Sequence, residues 1–365
     1  MRLLHAIAQM AIGGAERIVV QLADAAKEHG DRVAVAGAAG PLDAELAKLD
    51  LERIELPGAD RSLTGTALAA LRLASPLRRF GADLVHSHNV RATVVASTAA
   101  RLANPLRRPP LLASFHGVVP GEYRMAARLL RCADRVVCVS RDVADALIGA
   151  GFPAERTEVV RNAVALPAPL SGRERARIDR ELSLGDGPVV SIVGRLAPQK
   201  AHSRFLEAAA LVARDLPDAN LLVVGDGPLR NDLERQASEL GLGGRVTFTG
   251  ARSDARELIA RSDLVAFSSD WEGLSLVALE ALAAAVPVVS TDVEGMHELL
   301  STGAGVVVGH EPSALAGAIR TLLEEDDRRA AMGALGRQLI EREYSLQAMV
   351  EAYWQLYGSM SAPAS

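Results

Sequence analysis

Residues 270–289 read DWEGLSLVALEALAAAVPVV, an apolar helical segment that leads directly into a strand-like run. Glu272 precedes the helix, and Glu280 lies inside it among leucine, valine and alanine. A carboxylate on such a face is costly unless it is paired or hydrogen-bonded, and ribose hydroxyls would satisfy it. Gly273 and Leu274 offer backbone N–H groups at the start of the helix, which suits a diphosphate. The alternative is that Glu272 only complements the helix dipole and Glu280 lies on an exposed stripe.

The same alternation of short apolar runs and helix-period segments extends along the whole chain. It is typical of parallel sheets that are covered by helices. Proline, glycine and serine crowd together at 165–173, which predicts a linker, and the alternation begins again after it. We therefore predict the α/β class, with two Rossmann-like, doubly wound domains that face each other across a cleft. The predicted bounds are 1–168, 169–340 and 341–365, the last being a helix that packs back on the first domain.

The composition narrows the class of protein. Of the 365 residues, 49% are hydrophobic and 23% are charged, as in an ordinary globular protein. No run reaches the roughly 18 apolar residues that a membrane span needs, and we interpret the N-terminus as a first strand rather than a leader. Cys132 and Cys138 are too few for a disulfide framework. We expect a reduced, cytoplasmic protein.

A second group of candidate residues lies in VVSIVGRLAPQKAH at 189–202. A strand runs out through Gly194 into Arg195, and Lys200 follows near the start of a helix. Two cations at a strand end would neutralise the charge that grows on a leaving diphosphate, a role often played by a divalent metal. The sequence has no D-x-D motif, and Lys200 is its only lysine after residue 48. Alone, the R-x4-K spacing also fits an ordinary surface helix.

With both motifs in one domain, the sequence resembles the large retaining glycosyltransferase family of the GT-B fold, the family 4-like enzymes. That family includes bacterial phosphatidylinositol mannosyltransferases, lipopolysaccharide glucosyltransferases and sucrose synthases. The matching segments are GGAER near the start, SFHG at 114–117, CVSRDV at 138–143, GRLAPQK at 194–200, VVGDGP at 223–228, FTG at 248–250 and E-x7-E at 272–280. The resemblance implies transfer of a hexose or N-acetylhexosamine from a nucleoside-diphosphate sugar, UDP-linked or GDP-mannose, to an acceptor hydroxyl. It implies no cofactor and no metal.

The resemblance also assigns roles to individual residues. Arg195 and Lys200 would hold the donor diphosphate, Glu280 the ribose and Glu272 the transferred sugar. His116 matches the active-site histidine of the family and joins Arg195, Lys200 and Glu272 as the predicted catalytic set. The other predicted donor-binding residues are Gly13, Gly14, Phe248, Thr249, Gly250, Gly273, Leu274 and Ser275. The alternatives are a ligand-free turn at the glycine pair and a strand-end histidine with a local partner.

On the acceptor side the predictions rest on polar residues at strand ends in the first domain. They are His88, Asn89, Ser140 and Arg141. His86 and His88 share one face of a strand, but no further ligand stands nearby at a useful spacing, so we predict a polar or structural role and no metal site. Ala201 and Ala285 stand where the family usually has glycine, which changes backbone freedom in two turns.

An arginine-rich region at 61–141 stands out in a chain of net charge −5, because it holds thirteen arginines and three acids. One interpretation is that these arginines lie on helix faces exposed to solvent. The other interpretation is that this region attaches the protein peripherally to an anionic membrane that carries a lipid-linked acceptor. Glycan or small-molecule acceptors also fit. No nucleic-acid partner is expected. In LRLASPLRRF at 71–80, Pro76 weakens a single continuous amphipathic helix.

Two rival functions stay open from the sequence. A nucleotide-sugar 2-epimerase on the same fold would need acid and base carboxylates, and a non-catalytic subunit would bind a sugar nucleotide without turnover. Glu122 and Asp134 are candidate bases by residue type only. In the favoured mechanism the leaving phosphate oxygen takes the proton of the acceptor, on the face where the acceptor attacks.

Overall fold

The short apolar runs of the sequence form the strands of two separate parallel sheets. The computed structural model describes residues 1–56 and 62–361. The chain divides into a first unit, Met1–Asn162 with the residues from Gln347 onward, and a second unit, Ala163–Leu346. The first sheet has the strand order β3-β2-β1-β4-β5-β6-β7 and the second β10-β9-β8-β11-β12-β13. Strand order therefore reverses next to β1 in one sheet and next to β8 in the other, where open α/β sheets bind ligands.

The strands alternate with helices, as the periodicity predicts. The strands are β1 (Arg2–Gln9), β2 (Arg32–Ala38), β3 (Glu52–Glu55), β4 (Leu84–Ser87), β5 (Leu111–Phe115), β6 (Arg135–Cys138), β7 (Thr157–Val159), β8 (Val189–Val193), β9 (Asn220–Val224), β10 (Val246–Gly250), β11 (Leu264–Phe267), β12 (Val288–Thr291) and β13 (Gly305–Val308). The helices are α1 (Gly14–Glu28), α2 (Asp43–Lys48), α3 (Leu63–Phe80), α4 (Val90–Ala103), α5 (Tyr123–Leu130), α6 (Arg141–Gly149), α7 (Gly172–Glu181), α8 (His202–Asp215), α9 (Arg230–Glu239), α10 (Ala255–Arg261), α11 (Leu276–Ala283), α12 (Met296–Leu300), α13 (Pro312–Glu324), α14 (Asp326–Glu343) and α15 (Leu346–Ser361).

The C-terminal helix α15 packs on the first unit, as predicted. Tyr353 and Tyr357 are almost completely buried. The Tyr357 hydroxyl lies 2.8 Å from Nδ1 of His86, and the Tyr353 hydroxyl lies 2.9 Å from Oγ of Ser114. These tyrosines bury aromatic area while their hydroxyls find partners, so the helix completes the core of a unit whose strands come from the other end of the chain.

Pro76, which the sequence predicts to weaken a helix, does not interrupt it. Helix α3 continues from Leu63 to Phe80 with the proline inside it. A proline within a helix removes one hydrogen bond and costs about 3 kcal/mol. Ala69, Leu73 and Leu77 are buried on the same helix, and this apolar face offsets the loss. No helix among the described residues is both long and apolar enough to cross a membrane.

The two alanines that replace family glycines both have left-handed backbone conformations, with φ +43° at Ala201 and φ +60° at Ala285. Such a conformation costs a residue with a Cβ roughly 1–2 kcal/mol, while glycine loses about 0.5–1 kcal/mol more entropy on folding. We therefore expect Ala285→Gly, at an exposed turn, to raise the free energy of unfolding in urea by about 0.5–1 kcal/mol. Ala284→Gly is the matched control, since φ there is −82°, and it should lower stability. Equal losses in both variants would contradict the prediction.

Candidate functional site

In the second unit, the segments that follow β8 and β11 are tied to each other by hydrogen bonds. Oγ of Ser268 donates to the Lys200 carbonyl at 2.9 Å, and Nε2 of Gln199 donates to the Trp271 carbonyl at 3.0 Å. The amide of Asp270 donates to the Gln199 carbonyl at 2.9 Å. Because β8 and β11 are neighbours where the strand order reverses, the two candidate motifs meet at the carboxyl edge of the sheet.

Lys200 and Glu272 form an ion pair within this edge. Nζ of Lys200 donates to Oε1 of Glu272 at 2.5 Å, and Oγ of Ser269 donates to the same oxygen at 2.6 Å. The Glu272 side chain is only 6% exposed and that of Lys200 is 19% exposed. The sequence indicates a separate task for each residue, whereas the structure joins them and adds Ser269, which sequence reasoning missed.

Arg195 differs from Lys200 in its surroundings. It is exposed directly after β8, and its guanidinium has no hydrogen-bond or ion-pair partner among the described residues. Gly194 precedes it, and a Cβ there would lie 3.4 Å from Cε of Lys200, so the stem of the lysine runs over the glycine. The strand end therefore presents one cation without a partner next to one that is already paired.

Glycines let the other loops of this edge pack directly against these segments. A Cβ on Gly227, in the loop after β9, would lie 2.5 Å from the Leu196 carbonyl oxygen. A Cβ on Gly225 would collide with the Gly194 carbonyl, and one on Gly295, after β12, with the Gly273 carbonyl. The GDGP segment thus supports the backbone around Arg195 through close approach that only glycine permits.

Glu280 lies inside α11 and is 12% exposed, so the exposed-stripe interpretation is wrong. Nε of Arg256 in α10 donates to its Oε1 at 2.7 Å. Sequence reasoning missed Arg256, because nothing in the local pattern of α10 indicates that it faces α11. Ser275 precedes α11, and its side chain makes no cap hydrogen bond to the first turn.

The predicted donor set also includes the end of β10, and a histidine outside that set, His202, is buried in the same unit. Phe248 packs partly on the core, and Oγ1 of Thr249 donates to the Gly250 carbonyl at 3.0 Å at the end of β10. His202 begins α8, and both of its ring nitrogens are buried without a partner in the described chain. Burial, and then the charge of Lys200, lower the pKa of His202 to about 4, so it is neutral near pH 7.

The residues predicted for the acceptor side lie at strand ends of the first unit. The Asn89 side chain accepts from the Ala92 amide at 2.8 Å, and that of Ser140 accepts from the Val143 amide at 3.3 Å. Both are therefore N-caps, of α4 and α6, which is a structural role. Arg141 is the exposed first residue of α6.

Gly13 and Gly14, the predicted donor-side glycines of the first unit, lie at the start of α1. Gly13 is the N-cap in an extended conformation. The Glu16 carboxylate lies against its α-carbon. A negative side chain thus already complements the N-terminus of this helix, and an anion that bound there would have to displace it.

The expectation that no further ligand lies near His86 and His88 is wrong. His5 lies opposite His86 in the register of β1 and β4, and its Nδ1 is 2.9 Å from Nε2 of His88. Ring nitrogens of the three residues lie within 4.8 Å of one another. Both nitrogens of His86 are bonded to hydroxyls, of Tyr357 and Ser114, at 2.8 Å each. The cluster is a buried hydrogen-bonded network, and only the pairing of β1 with β4 reveals it.

His116 continues this network after β5. Its ring stacks on that of His88 with the centroids 6.4 Å apart, and its Nε2 is buried without a partner in the described residues. Burial lowers the pKa of His116 to about 4. It is therefore a neutral imidazole near pH 7, able to offer a hydrogen bond but not a positive charge.

In comparisons with known proteins, both units match glycosyltransferase families. The family described as glycosyl transferases group 1 matches residues 174–339, and glycosyltransferase family 4 matches residues 12–166. The D-inositol 3-phosphate glycosyltransferase of Corynebacterium urealyticum is 31% identical over 91% of this chain and 82% of its own. The chain belongs to this family of glycosyltransferases.

Two other relatives of the glycosyltransferase are themselves described as glycosyltransferases. The lipopolysaccharide core biosynthesis glycosyltransferase LpsE of Rhizobium meliloti is 29% identical over 95% of this chain and 96% of its own. A GDP-mannose-dependent alpha-(1-6)-phosphatidylinositol monomannoside mannosyltransferase of Mycolicibacterium smegmatis is 34% identical over 73% of this chain and 74% of its own.

Solved structures confirm the predicted GT-B fold of the glycosyltransferase. Anabaena Alr3699/HepE, in complex with UDP and glucose, superposes with a TM-score of 0.87 at 24% identity, over 98% of this chain and 100% of its own. WaaG, a glycosyltransferase involved in lipopolysaccharide biosynthesis, gives 0.80 at 20% identity, over 97% of this chain and 99% of its own. At this identity the likeness shows the fold alone.

The buried histidines predict that the glycosyltransferase loses stability in mild acid. Burial lowers the pKa of His5 to about 3, and those of His86 and His88 also lie well below their ordinary value. The folded state keeps these rings neutral, so their contribution is complete above the unfolded pKa of about 6.5 and is lost as pH falls toward the folded values. Tyr353 does not titrate there, because burial raises its pKa to about 12.

We expect the free energy of unfolding in urea to fall by about 1.4 kcal/mol per pH unit for each such histidine between pH 6.5 and 5. His202→Asn should lower this slope by the contribution of one histidine, about 1.4 kcal/mol per pH unit. A free energy that stays constant from pH 7.5 to 5 would contradict the prediction.

Proposed function

We propose that this glycosyltransferase is a retaining enzyme. It moves a hexose or N-acetylhexosamine from a nucleoside-diphosphate sugar to an acceptor hydroxyl, in the synthesis of a cell-surface glycan, a lipid-linked glycan or a glycolipid. The second unit binds the donor and the first carries the acceptor. The proposal requires neither a metal nor a cofactor.

The observation that carries the proposal is the Lys200–Glu272 ion pair next to the partner-free guanidinium of Arg195. Both cations follow β8 at the point where the strand order reverses. Arg195 would neutralise a bound diphosphate directly, because it has no other partner among the described residues. Lys200 would contribute once its ammonium donates hydrogen bonds to both the phosphate and Glu272. The buried Glu272 carboxylate would then accept hydrogen bonds from the hydroxyls of the sugar. The Lys200–Glu272 pair would therefore contact both the diphosphate and the sugar of the donor.

Two of the comparisons support a nucleotide sugar as the donor. One relative is described as GDP-mannose-dependent, and a protein of the same fold is solved with UDP and glucose. We favour a UDP-sugar and retain GDP-mannose as the second donor.

The proposed chemical step places the acceptor on the same face of the sugar as the leaving phosphate. The bond from the anomeric carbon to the phosphate oxygen breaks through an oxocarbenium-like state, and the acceptor oxygen forms the new bond. The leaving phosphate oxygen takes the acceptor proton. The surroundings of Asp134 support a mechanism without a carboxylate base, since that side chain accepts two hydrogen bonds from Arg108, at 2.6 and 2.8 Å. Neutral His116 would orient the sugar.

A panel of nucleotide sugars tests the proposal. Thermal unfolding would be followed with UDP-glucose, UDP-N-acetylglucosamine and GDP-mannose, each with EDTA, since a ligand that binds only the native state at 100 times its Kd stabilises by about 2.7 kcal/mol. The donor that binds is then incubated with and without candidate acceptors, and the anomeric configuration of the product is read by NMR. An inverted product, or a strict need for a divalent cation, would contradict the proposal. Epimerised UDP-N-acetylglucosamine without acceptor would indicate the 2-epimerase, and binding without turnover the non-catalytic subunit.

The surface of the first unit supports attachment to an anionic membrane, with a lipid-linked acceptor. Helix α5 exposes Met125 and Leu129 between arginines, and Leu106 is almost fully exposed after α4. Among the described residues, six exposed arginines of this region make neither an ion pair nor a side-chain hydrogen bond: Arg72, Arg78, Arg101, Arg107, Arg124 and Arg128. Arg61, the first arginine of the region, lies outside the described residues. Apolar side chains among unpaired cations are suited to a negatively charged lipid surface.

Vesicle sedimentation at low salt tests this part of the proposal. We expect binding to vesicles of phosphatidylglycerol and phosphatidylcholine but not to phosphatidylcholine alone, with loss at high salt. The Leu106→Ser, Met125→Ser double variant should bind less, whereas Leu335→Ser, at an exposed leucine of α14 in the second unit, should bind normally. No sedimentation of the wild type with the anionic vesicles would refute membrane attachment.

A further inference from the structure

The Glu280 carboxylate has a single side-chain partner in the described part of the chain. Nε of Arg256 donates to Oε1 at 2.7 Å, and Oε2 is not engaged. The carboxylate lies on a helix whose other side chains are almost all apolar, where a negative charge without a counter-charge is costly. Arg256 therefore both supplies the counter-charge and fixes which way the carboxylate faces.

We propose that Arg256 is a positioning residue for the nucleotide half of the donor, acting through Glu280 on the ribose. This inference rests on the proposed function. The hydrogen bond from Nε of Arg256 holds one oxygen of Glu280, so the rotation of the carboxylate is restricted. Its remaining lone pairs are then oriented to accept hydrogen bonds from two neighbouring hydroxyls. The chemical group recognised is an intact cis-diol, so the site would prefer a ribonucleoside diphosphate to its 2′-deoxy analogue.

The position of Arg256 in the fold supports this role. Helix α10 begins shortly after β10, whose end at Phe248, Thr249 and Gly250 is the predicted site of the base, and α10 packs on α11, which carries Glu280. Arg256 is half exposed, and its two terminal nitrogens have no partner among the described residues. The arginine thus belongs to the segment that links the two predicted nucleotide contacts.

The test compares the dissociation constants of UDP and 2′-deoxy-UDP by calorimetry, with GDP and 2′-deoxy-GDP in parallel. For the nucleotide that binds, we expect Arg256→Ala to weaken the ribonucleotide about tenfold and its 2′-deoxy analogue much less, so that the preference for ribose is largely lost. Turnover at saturating donor should change less than twofold. Arg256→Lys should restore part of the preference. Arg320→Ala is the matched control, because Arg320 is similarly exposed in the same unit and pairs with Asp215 at 2.9 Å.

A double-mutant cycle separates the possible failures. If Glu280→Gln binds the ribonucleotide and its 2′-deoxy analogue as the wild type does, the predicted contact of Glu280 with the ribose is wrong, and the proposed transfer reaction is not thereby refuted. If Glu280→Gln abolishes the preference for ribose but Arg256→Ala behaves like Arg320→Ala, only the inference about Arg256 is overturned. In the double variant the effects should not add, since Arg256 acts through Glu280. Additive losses would show that the arginine acts independently and would also overturn it.

Discussion

Replacing Lys200 with methionine should abolish sugar transfer and also destabilise the second unit. Transfer is lost because a cation that neutralises the leaving diphosphate is removed, an effect of about 10³-fold or more on kcat/KM. Stability is lost because Glu272, 6% exposed, keeps only the Ser269 hydroxyl as a partner. An uncompensated, largely buried carboxylate costs about 2–3 kcal/mol. The contact with Glu272, which the sequence does not reveal, is the reason to expect a loss of stability beside the loss of activity.

The two effects of Lys200 can be separated in a second variant. In Lys200→Met, Glu272→Gln, the buried group is a neutral amide, so urea unfolding should show most of the lost stability restored. Transfer should stay abolished. If the double variant is as unstable as the single one, the ion pair is not the cause of the instability. If the single variant keeps its turnover, Lys200 does not hold the diphosphate.

Replacing Arg195 with alanine should remove activity and leave stability unchanged. The guanidinium has no partner in the described chain and is exposed, so its loss breaks no contact and the free energy of unfolding should stay within about 0.5 kcal/mol. The kcat/KM for transfer should fall by about 10²–10³-fold, since one preorganised donor to the leaving group is missing. Steady-state kinetics with the donor from the thermal panel, together with urea unfolding, measure both quantities.

Arg235→Ala is the control for Arg195, because Arg235 is also an exposed arginine of the second unit, on α9, and pairs only with other exposed side chains. It should retain wild-type turnover. Turnover in Arg195→Ala equal to that of this control would mean that the diphosphate binds elsewhere.

Much of the second unit could be predicted from local patterns. Short apolar runs and helix-period segments predict parallel sheets, and Arg195, Lys200, Glu272 and Glu280 stand out because each is a charged residue at the end of a strand or on an apolar helix. Their roles as donor ligands remain a proposal. The contacts between them could not be predicted, since Lys200 and Glu272 are 72 residues apart and Arg256 and Glu280 are 24 apart.

The first unit shows the same limit more strongly. His86 and His88 attract attention as a pair, but His5 precedes His88 by 83 residues, and its position next to them depends on β1 lying beside β4. Likewise, nothing in the local sequence of α15 indicates that Tyr357 reaches His86, 271 residues earlier.

The sequence by itself therefore determined the class of fold, the family and the residues that stand at the carboxyl ends of the strands, because hydrophobic periodicity and short motifs are local properties. Only the tertiary structure decided which of these residues touch, since the order of strands in a parallel sheet is set by crossovers between distant segments and not by any local period. Of the four candidates Arg195, Lys200, Glu272 and Glu280, the structure pairs Lys200 with Glu272 and pairs Glu280 with Arg256. Arg195 has no partner among the described residues.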